Sequence, residues 1–422
     1  MRLIYSLLMI MALPFIYLRL WWRARRQPAY LQHVAERFGY YDAFAIPPLN
    51  RKPVIWVHAV SVGETRAAEP LVRALLDKYS GHRILLTHMT PTGRETGESL
   101  FGAHATDSEN IWRCYLPYDY PGAVKRFLDH FRPSVGVLME TEIWPNLVQA
   151  CKARATPIYL VNARLSEKSY AGYRRLRSFT SDTLCALSAI AAQSIDDARR
   201  FDALGAGNVS VMGNLKFDVS PSTTQRASGQ QFRKSLGTRQ VLLAASTREG
   251  EETLLLTNRL HALPNVLLVI VPRHPQRFDE VAALLEKHQI SYQRRSANQP
   301  LRDQTQVLLG DSMGEMAMYY AACDLAFIGG SLLPFGGQNL IEACAAGKPV
   351  LIGPYTHNFA EASESAVSVG AALRVTDAAD LQHKASALLA NPTDIGRMGA
   401  AALVFSEEHQ GATDKLLTLI RF

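Results

Sequence analysis

The residues best placed to do chemistry follow short apolar runs. His58-Ala59-Val60-Ser61-Val62-Gly63-Glu64 comes after the run Pro53–Ala59; Gly63 permits a tight turn and Glu64 opens a helical stretch. A carboxylate at the carboxyl end of a buried strand points into a ligand crevice, where it can act as general base for a hydroxyl. The plain alternative is a first-turn acid that complements a helix dipole. Met139-Glu140-Thr141-Glu142-Ile143-Trp144-Pro145-Asn146 follows a second run, Ser134–Met139. Close carboxylates raise one another's pKa or orient a sugar. The alternative is helix-start acids with Trp144 packed in the core.

The second half of the chain repeats the arrangement with other residue types. Arg273 follows the run Val266–Val271, where a guanidinium suits a phosphate or carboxylate, or simply faces solvent. Asp311-Ser312-Met313-Gly314-Glu315-Met316 opens a helix, whose free N–H groups can hold a base edge or an anion; Ser312 and Glu315 also fit a capping box. Gly329-Gly330-Ser331 ends a strand, and Gly336-Gly337-Gln338-Asn339-Leu340-Ile341-Glu342 opens the next helix. Glycines let backbone approach a ligand, and Glu342 can accept from ribose hydroxyls or pair with Asn339 as a cap.

These segments need elements to hold them. Strands are expected over Pro53–Ala59, Arg83–His88, Ile111–Leu116, Ser134–Met139, Pro157–Val161 and Asn208–Met212. A second series is expected over Gln240–Ala245, Val266–Val271, Gln306–Leu309, Asp324–Gly329 and Pro349–Ile352. Apolar runs alternating with helical stretches predict parallel sheets wrapped by helices, an α/β fold of two doubly wound, Rossmann-like domains facing a cleft. The expected division is 28–213 for the first domain, 214–231 for a Ser-, Thr-, Gln- and Gly-rich linker, 232–405 for the second, and 406–422 for a C-terminal helix returning to the first. A length of 422 residues supports two cores of this size.

Residues 1–27 form a segment of their own. Leu3–Trp22 contains only Ser6, Pro14 and Arg19 as non-apolar residues. Twenty helical residues reach about 30 Å, roughly one hydrocarbon core. Residues 1–50 hold six Arg against Glu36 and Asp42, a net +4 of the chain's +7. Positive charge gathered beside an apolar segment points to a membrane and away from nucleic acid. Only Arg2 precedes the run and bulky Leu20-Trp21-Trp22-Arg23 follows it, which fits an anchor or interfacial helix better than a cleaved signal. The five cysteines form no C-x-x-C, so neither a disulfide framework nor a zinc knuckle is expected, and the compartment reads as reducing. P-loop, G-x-G-x-x-G, D-x-D, H-E-x-x-H and G-x-S-x-G motifs are all missing, so no tightly held metal or dinucleotide cofactor is expected.

HAVSVGET, THMTPTG, YLPYD, METEIWPN, NARLSEKS, GNLKFD, STREGEE, VPRHPQRF, GDSMGEM, FIGGSL and GGQNLIEA occur in this order. The sequence resembles the 3-deoxy-D-manno-octulosonic acid (Kdo) transferases of lipopolysaccharide assembly over essentially the whole chain. The resemblance implies a GT-B glycosyltransferase fold, CMP-Kdo as donor, no cofactor and no required metal. It also implies inversion at the anomeric centre. The implied acceptor is the tetra-acylated, bisphosphorylated lipid A precursor (lipid IVA), at the cytoplasmic face of the inner membrane and in contact with its lipids. It implies Glu64 as general base and Glu140 and Lys216 as transition-state stabilisers. Pro272, Arg273, Gly314, Glu315, Met316, Asn339, Leu340, Ile341 and Glu342 become the CMP contacts. Relatives commonly read Gly-Ser-Leu-Lys where this chain has Gly213-Asn214-Leu215-Lys216, which keeps Lys216 in place. Arg164, Lys168, Arg174, Arg175, Arg177, Arg23, Arg25 and Arg26 suit either a phosphorylated acceptor or anionic lipid. The alternative is another nucleotide-sugar transferase or epimerase of the same fold.

Overall fold

The computed structural model describes residues 1–41, 52–102, 110–218 and 223–421, without the side chains of 223–226. The chain divides into two compact units, Met1–Val219 with Gln410–Phe422, and Ser220–His409.

Unit 1 is built on strands β1 (Val54–His58), β2 (Arg83–His88), β3 (Ile111–Tyr115), β4 (Val135–Met139), β5 (Ile158–Ala163), β6 (Ala189–Ala192) and β7 (Val209–Val211). They form one sheet in the order β3-β2-β1-β4-β5-β6-β7, every pair parallel. Both faces are covered, as all-parallel sheets require. Ile55 and Val57 of β1 pack with Leu71, Val72 and Leu75 of the helix Val62–Lys78. Trp56, on the opposite face, packs with Phe127 and Leu138. Gly136 on β4 makes room for that indole, since a Cβ there would lie 2.8 Å from Trp56 Cε3.

Unit 2 contains β8 (Gln240–Thr247), β9 (Val266–Pro272), β10 (Tyr292–Arg294), β11 (Val307–Leu309), β12 (Leu325–Ile328), β13 (Val350–Ile352) and β14 (Ala372–Arg374). Their order is β10-β11-β9-β8-β12-β13-β14, again all parallel. In each unit the chain reverses direction across the sheet at one pair of neighbours, β1/β4 and β8/β12. Ligands of open α/β sheets bind outside the carboxyl ends of such a pair.

Three strands escape a reading by composition. β6 is Ala-Ile-Ala-Ala, low in β propensity, and is a strand because both of its faces are buried. β10 and β14 are three-residue edge strands, too short for a periodic signal.

The segment expected as a linker over 214–231 is different in the structure. Leu215–Asp218 is a 3-10 turn of unit 1, and Thr223–Ser235 is a helix; Ser220–Ser222 lie outside the described residues. The ring of Phe232 meets that of Tyr319 edge-on at 5.7 Å, so a polar stretch is held helical by what it packs on. The expected C-terminal helix is also displaced. Pro392–His409 is one continuous helix of unit 2, Gly411 at φ +93° breaks it, and Ala412–Leu419 packs in unit 1 with Ala412 and Leu416 buried. Asp218 secures that return by accepting from the backbone N–H groups of Gly411 (2.7 Å) and Thr413 (2.5 Å).

The helix Arg2–Ala24 is an element of unit 1. Near its start Tyr5 donates to Asp119 Oδ2 (2.9 Å) and Ser6 to Asn146 Oδ1 (2.9 Å). Near its end Leu20 and Ala24 are buried. The opposite face exposes Leu3, Leu7, Leu8, Met11, Phe15, Leu18 and Trp22. Its spacing of three and four residues makes one apolar stripe.

Candidate active site

In unit 1, the residues after β1 and β4 lie at the reversal of strand order. Ser61 caps the helix Val62–Lys78, its hydroxyl accepting from the Glu64 N–H at 3.5 Å. The Glu64 carboxylate turns back, accepting from Val60 N–H at Oε2 (2.9 Å) and from the Ser61 hydroxyl at Oε1 (3.0 Å). Ser61 and Glu64 thus brace the helix start between them, Glu64 reaching the N–H one residue before the N-cap, so the plain structural role of Glu64 is real. It does not use up the group's chemistry. Burial pushes the Glu64 carboxyl up to about 7, helped by the charges of Glu140 and Glu142 and opposed by the Val60 and Ser61 hydrogen bonds. A carboxyl titrating near neutrality is matched to taking a proton from a hydroxyl.

Glu140 immediately follows β4 in the left-handed region, at φ +54°. Its N–H donates to Val161 O (2.9 Å), tying the turn to β5. Non-glycine residues hold this conformation at a cost, and it gathers at functional sites. Lys216 Nζ lies 3.6 Å from Glu140 Oε1. The three expected catalytic residues thus share one neighbourhood: Lys216 pairs with Glu140, and the charge of Glu140 bears on Glu64.

Composition gave no sign of what holds Lys216. Asn162, next to last in β5 and also left-handed at φ +51°, accepts the Leu215 N–H on Oδ1 (3.1 Å). Gln193 bridges, donating to Asn162 O (2.9 Å) and accepting from Asn214 Nδ2 (3.2 Å). Asn214 Oδ1 in turn accepts the Lys216 N–H at 3.0 Å. The available signal was an asparagine at the end of an otherwise apolar strand, where a side-chain amide can brace a loop.

Unit 2 presents the other set on its own carboxyl edge. Pro272 is the last residue of β9; the Arg273 N–H donates to Thr247 O (3.0 Å) and its Nε to Gln338 Oε1 (3.2 Å). The end of β9 is thereby joined to the segment before Asn339. Asn339 Nδ2 donates to Glu342 Oε1 (3.0 Å), and Asn339 Oδ1 accepts the Ile341 N–H (3.0 Å) beside Leu340, the N-cap of the helix Ile341–Ala345. Asn339 and Glu342 are thus paired side chain to side chain, while the helix's N-cap, Leu340, carries no side-chain cap.

Gly314, Glu315 and Met316 follow β11. The helix begins only at Met316, because Gly314 turns left-handed at φ +81°, so the capping box expected between Ser312 and Glu315 does not form at the helix N-cap. The Ser312 hydroxyl instead donates to the Glu315 carboxylate, whose other oxygen meets Arg295 at 3.0 Å. The glycine loop after β12 also differs from expectation. The fully buried carboxylate of Glu251 accepts N–H groups from Arg248 (2.8 Å), Gly330 (2.6 Å) and Leu332 (3.0 Å). Part of the backbone expected to face a ligand is taken by an internal anion that ties β8 to β12. Among the described residues no group of three His, Cys, Asp or Glu is gathered as metal ligands would be.

Residues 32–219 match the family described as 3-deoxy-D-manno-octulosonic-acid transferase (kdotransferase), and residues 251–403 match glycosyl transferases group 1. A 3-deoxy-D-manno-octulosonic acid transferase of Bordetella pertussis is 45% identical over 425 residues, covering 98% of this chain and 97% of that protein. The transferase of Haemophilus influenzae is 37% identical, covering 100% of this chain and 98% of its own length. The solved UDP-GlcNAc 2-epimerase of Neisseria meningitidis, bound to UDP-GlcNAc, superimposes with a TM-score of 0.59 over 87% of this chain and 99% of that one, at 14% identity. That likeness is one of fold, two Rossmann-like units in a GT-B chain. With near-complete coverage at such identity, the chain belongs to the 3-deoxy-D-manno-octulosonic acid transferases.

Proposed function

We propose that the chain moves Kdo from CMP-Kdo to the tetra-acylated, bisphosphorylated glucosamine disaccharide of the lipid A precursor, inverting the anomeric centre, in lipopolysaccharide synthesis. The observation that carries this reading is the cluster of Glu64, Glu140 and Lys216 at the strand reversal of unit 1, with Glu64 poised near neutrality. An acceptor hydroxyl attacks the anomeric carbon of Kdo while its proton passes to Glu64. The bond from that carbon to the phosphate oxygen breaks, and its electrons leave with CMP. Lys216 and Arg273 supply cationic charge, for the leaving phosphate or for the carboxylate of Kdo. Pro272, Arg273, Gly314–Met316 and Asn339–Glu342 contact CMP, with Glu342 on the ribose. No metal is assigned to any step.

The acceptor is an amphiphile, and the first helix supports a membrane setting. Its two ends are docked on the same unit, by Tyr5 and Ser6 at one and Leu20 and Ala24 at the other. Cations stand near both ends as well. Arg25 and Arg26 lie over Trp21 and Trp22, while Arg174, Arg175 and Arg177 are exposed around Phe179, whose ring meets Tyr5 at 5.6 Å. A helix with cations and docking contacts at both ends suits the plane of the headgroups, on the cytoplasmic face of the inner membrane, with its apolar stripe in one leaflet. The deciding experiment is incubation with the lipid precursor and either CMP-Kdo or a UDP-sugar, read by mass spectrometry. A Kdo-mass increment from CMP-Kdo alone is expected; transfer from the UDP-sugar, or none from CMP-Kdo, overturns the reading.

A further inference from the structure

The loop after β4 carries more than Glu140. The Glu142 N–H donates to Met139 O (3.2 Å), which turns its side chain back toward β1. Glu142 Oε2 accepts from the indole Nε1 of Trp144 (2.9 Å) and stands 3.9 Å from Nε2 of His58, the last residue of β1. His58 is fully buried. Its Nδ1 lies 2.9 Å from the Thr87 hydroxyl oxygen, which accepts from Trp56 Nε1 at 2.8 Å. Nδ1 also lies 3.2 Å from the Thr87 carbonyl oxygen, and the Thr87 hydroxyl donates to Val57 O at 3.4 Å, while Nε2 is the ring atom that faces Glu142. That Nε2 has no hydrogen-bond partner among the described residues. A buried polar atom left this way calls for an explanation. Trp144 is half-buried, pinned by Glu142 and by an edge-on contact with the His58 ring at 6.4 Å.

A carboxylate beside a partly exposed indole is a pair suited to a pyranose ring. The carboxylate accepts from hydroxyl or N–H donors, and the aromatic face covers C–H groups. We propose that Glu142 and Trp144, backed by the buried imidazole of His58, form the subsite for the acceptor's sugar ring, next to the hydroxyl that Glu64 deprotonates. This rests on the reading of Glu64 as the acceptor's base. Glu142 and Trp144 touch the sugar, and His58 is a positioning residue whose ring meets Trp144 edge-on behind Glu142.

The test is steady-state kinetics of the full chain in detergent micelles, varying CMP-Kdo and the tetra-acylated disaccharide separately. Glu142→Gln and Trp144→Ala each raise the acceptor KM by roughly tenfold or more, the loss of one charge-assisted hydrogen bond or one aromatic contact, while the donor KM stays within about twofold. His58→Phe raises the acceptor KM in the same direction. An acceptor KM within twofold of wild type in a folded Glu142→Gln, or an equal rise in the donor KM, overturns the proposal. Should Glu142→Gln not fold, intrinsic fluorescence of the wild-type chain is titrated with the disaccharide against Trp144→Phe. An emission change that depends on Trp144 is expected, and its absence overturns the subsite. Full turnover in Glu64→Gln is a separate result that removes the base and leaves the KM comparison to judge the subsite.

Discussion

The hydroxyl of Ser6 donates a buried hydrogen bond of 2.9 Å to Oδ1 of Asn146, joining the first helix to the loop that carries the acid cluster. Asn146 lies four residues after Glu142, in the first turn of the helix Pro145–Ala153. Asp119 completes the joint. It takes the Tyr5 hydroxyl together with the backbone N–H groups of Asn146 (2.9 Å) and Leu147 (2.8 Å), and burial pushes its carboxyl up to about 6. The first helix and the segment holding Glu140 and Glu142 are thereby joined within unit 1.

This joint predicts where the start of the helix sits. An Arg2→Cys variant in a Cys185→Ser background, bound to right-side-out or inverted vesicles, is labelled by a membrane-impermeant maleimide only from the cytoplasmic side. Labelling from the opposite side would mean that the helix crosses the bilayer. Asp119→Ala, which removes the acceptor for two helix-start N–H groups, should destabilise the chain by about 1–3 kcal/mol in thermal unfolding.

The raised pKa of Glu64 has two consequences for pH. A base must be ionised, so kcat/KM should rise with pH along an acid limb centred near 7. Glu142→Gln removes a charge that raises this pKa, and the limb moves to lower pH. For stability the sign is opposite. The folded pKa of about 7 lies above the ordinary 4.5, so the protonated form is favoured in the fold. That contribution is complete below 4.5 and is lost as pH rises through 7. The difference in Tm between Glu64→Gln and wild type should shift in favour of the variant over the same interval.

Lys216 and Asn162 separate charge from its support. Lys216→Ala removes the cation facing Glu140 and should lower kcat about 10²–10³-fold, as loss of an electrostatic stabiliser does. Asn162→Ala leaves Lys216 present but frees the Leu215 N–H, so a smaller fall in kcat is expected with about 1–2 kcal/mol of lost stability. Equal kcat in wild type and Lys216→Ala would remove Lys216 from the mechanism.

In unit 2 the CMP assignments divide by affinity. Glu342→Ala and Arg273→Ala should weaken CMP binding in calorimetry, while Glu64→Ala leaves CMP affinity intact and abolishes transfer. Unchanged CMP affinity in Glu342→Ala would leave Glu342 as the side-chain partner of Asn339 and nothing more.

The proposed reaction uses Lys216 and Arg273 as its cations, so transfer is expected to survive exhaustive chelation. Loss of activity with a chelator, restored by one divalent cation, would require a cation in the mechanism. Wild-type rates in treated and untreated enzyme are the expected outcome.

Sequence by itself determined the strand framework, because runs such as Arg83–His88 and Val266–Val271 are buried on both faces and their apolar composition says so locally. It also determined which turns bear Glu64, Glu140 and Arg273, since each directly follows such a run. Three things were decided only by tertiary structure. β6 is a strand through burial, against its alanine-rich propensity. The polar stretch from Thr223 is helical because Phe232 has Tyr319 to pack on. The partners of each charged group were likewise invisible: Lys216 beside Glu140, His58 behind Glu142, and Glu251 occupying the glycine loop join residues far apart in the chain. Burial is written into composition residue by residue. A hydrogen bond between distant segments depends on register and strand order, which no local stretch of sequence contains.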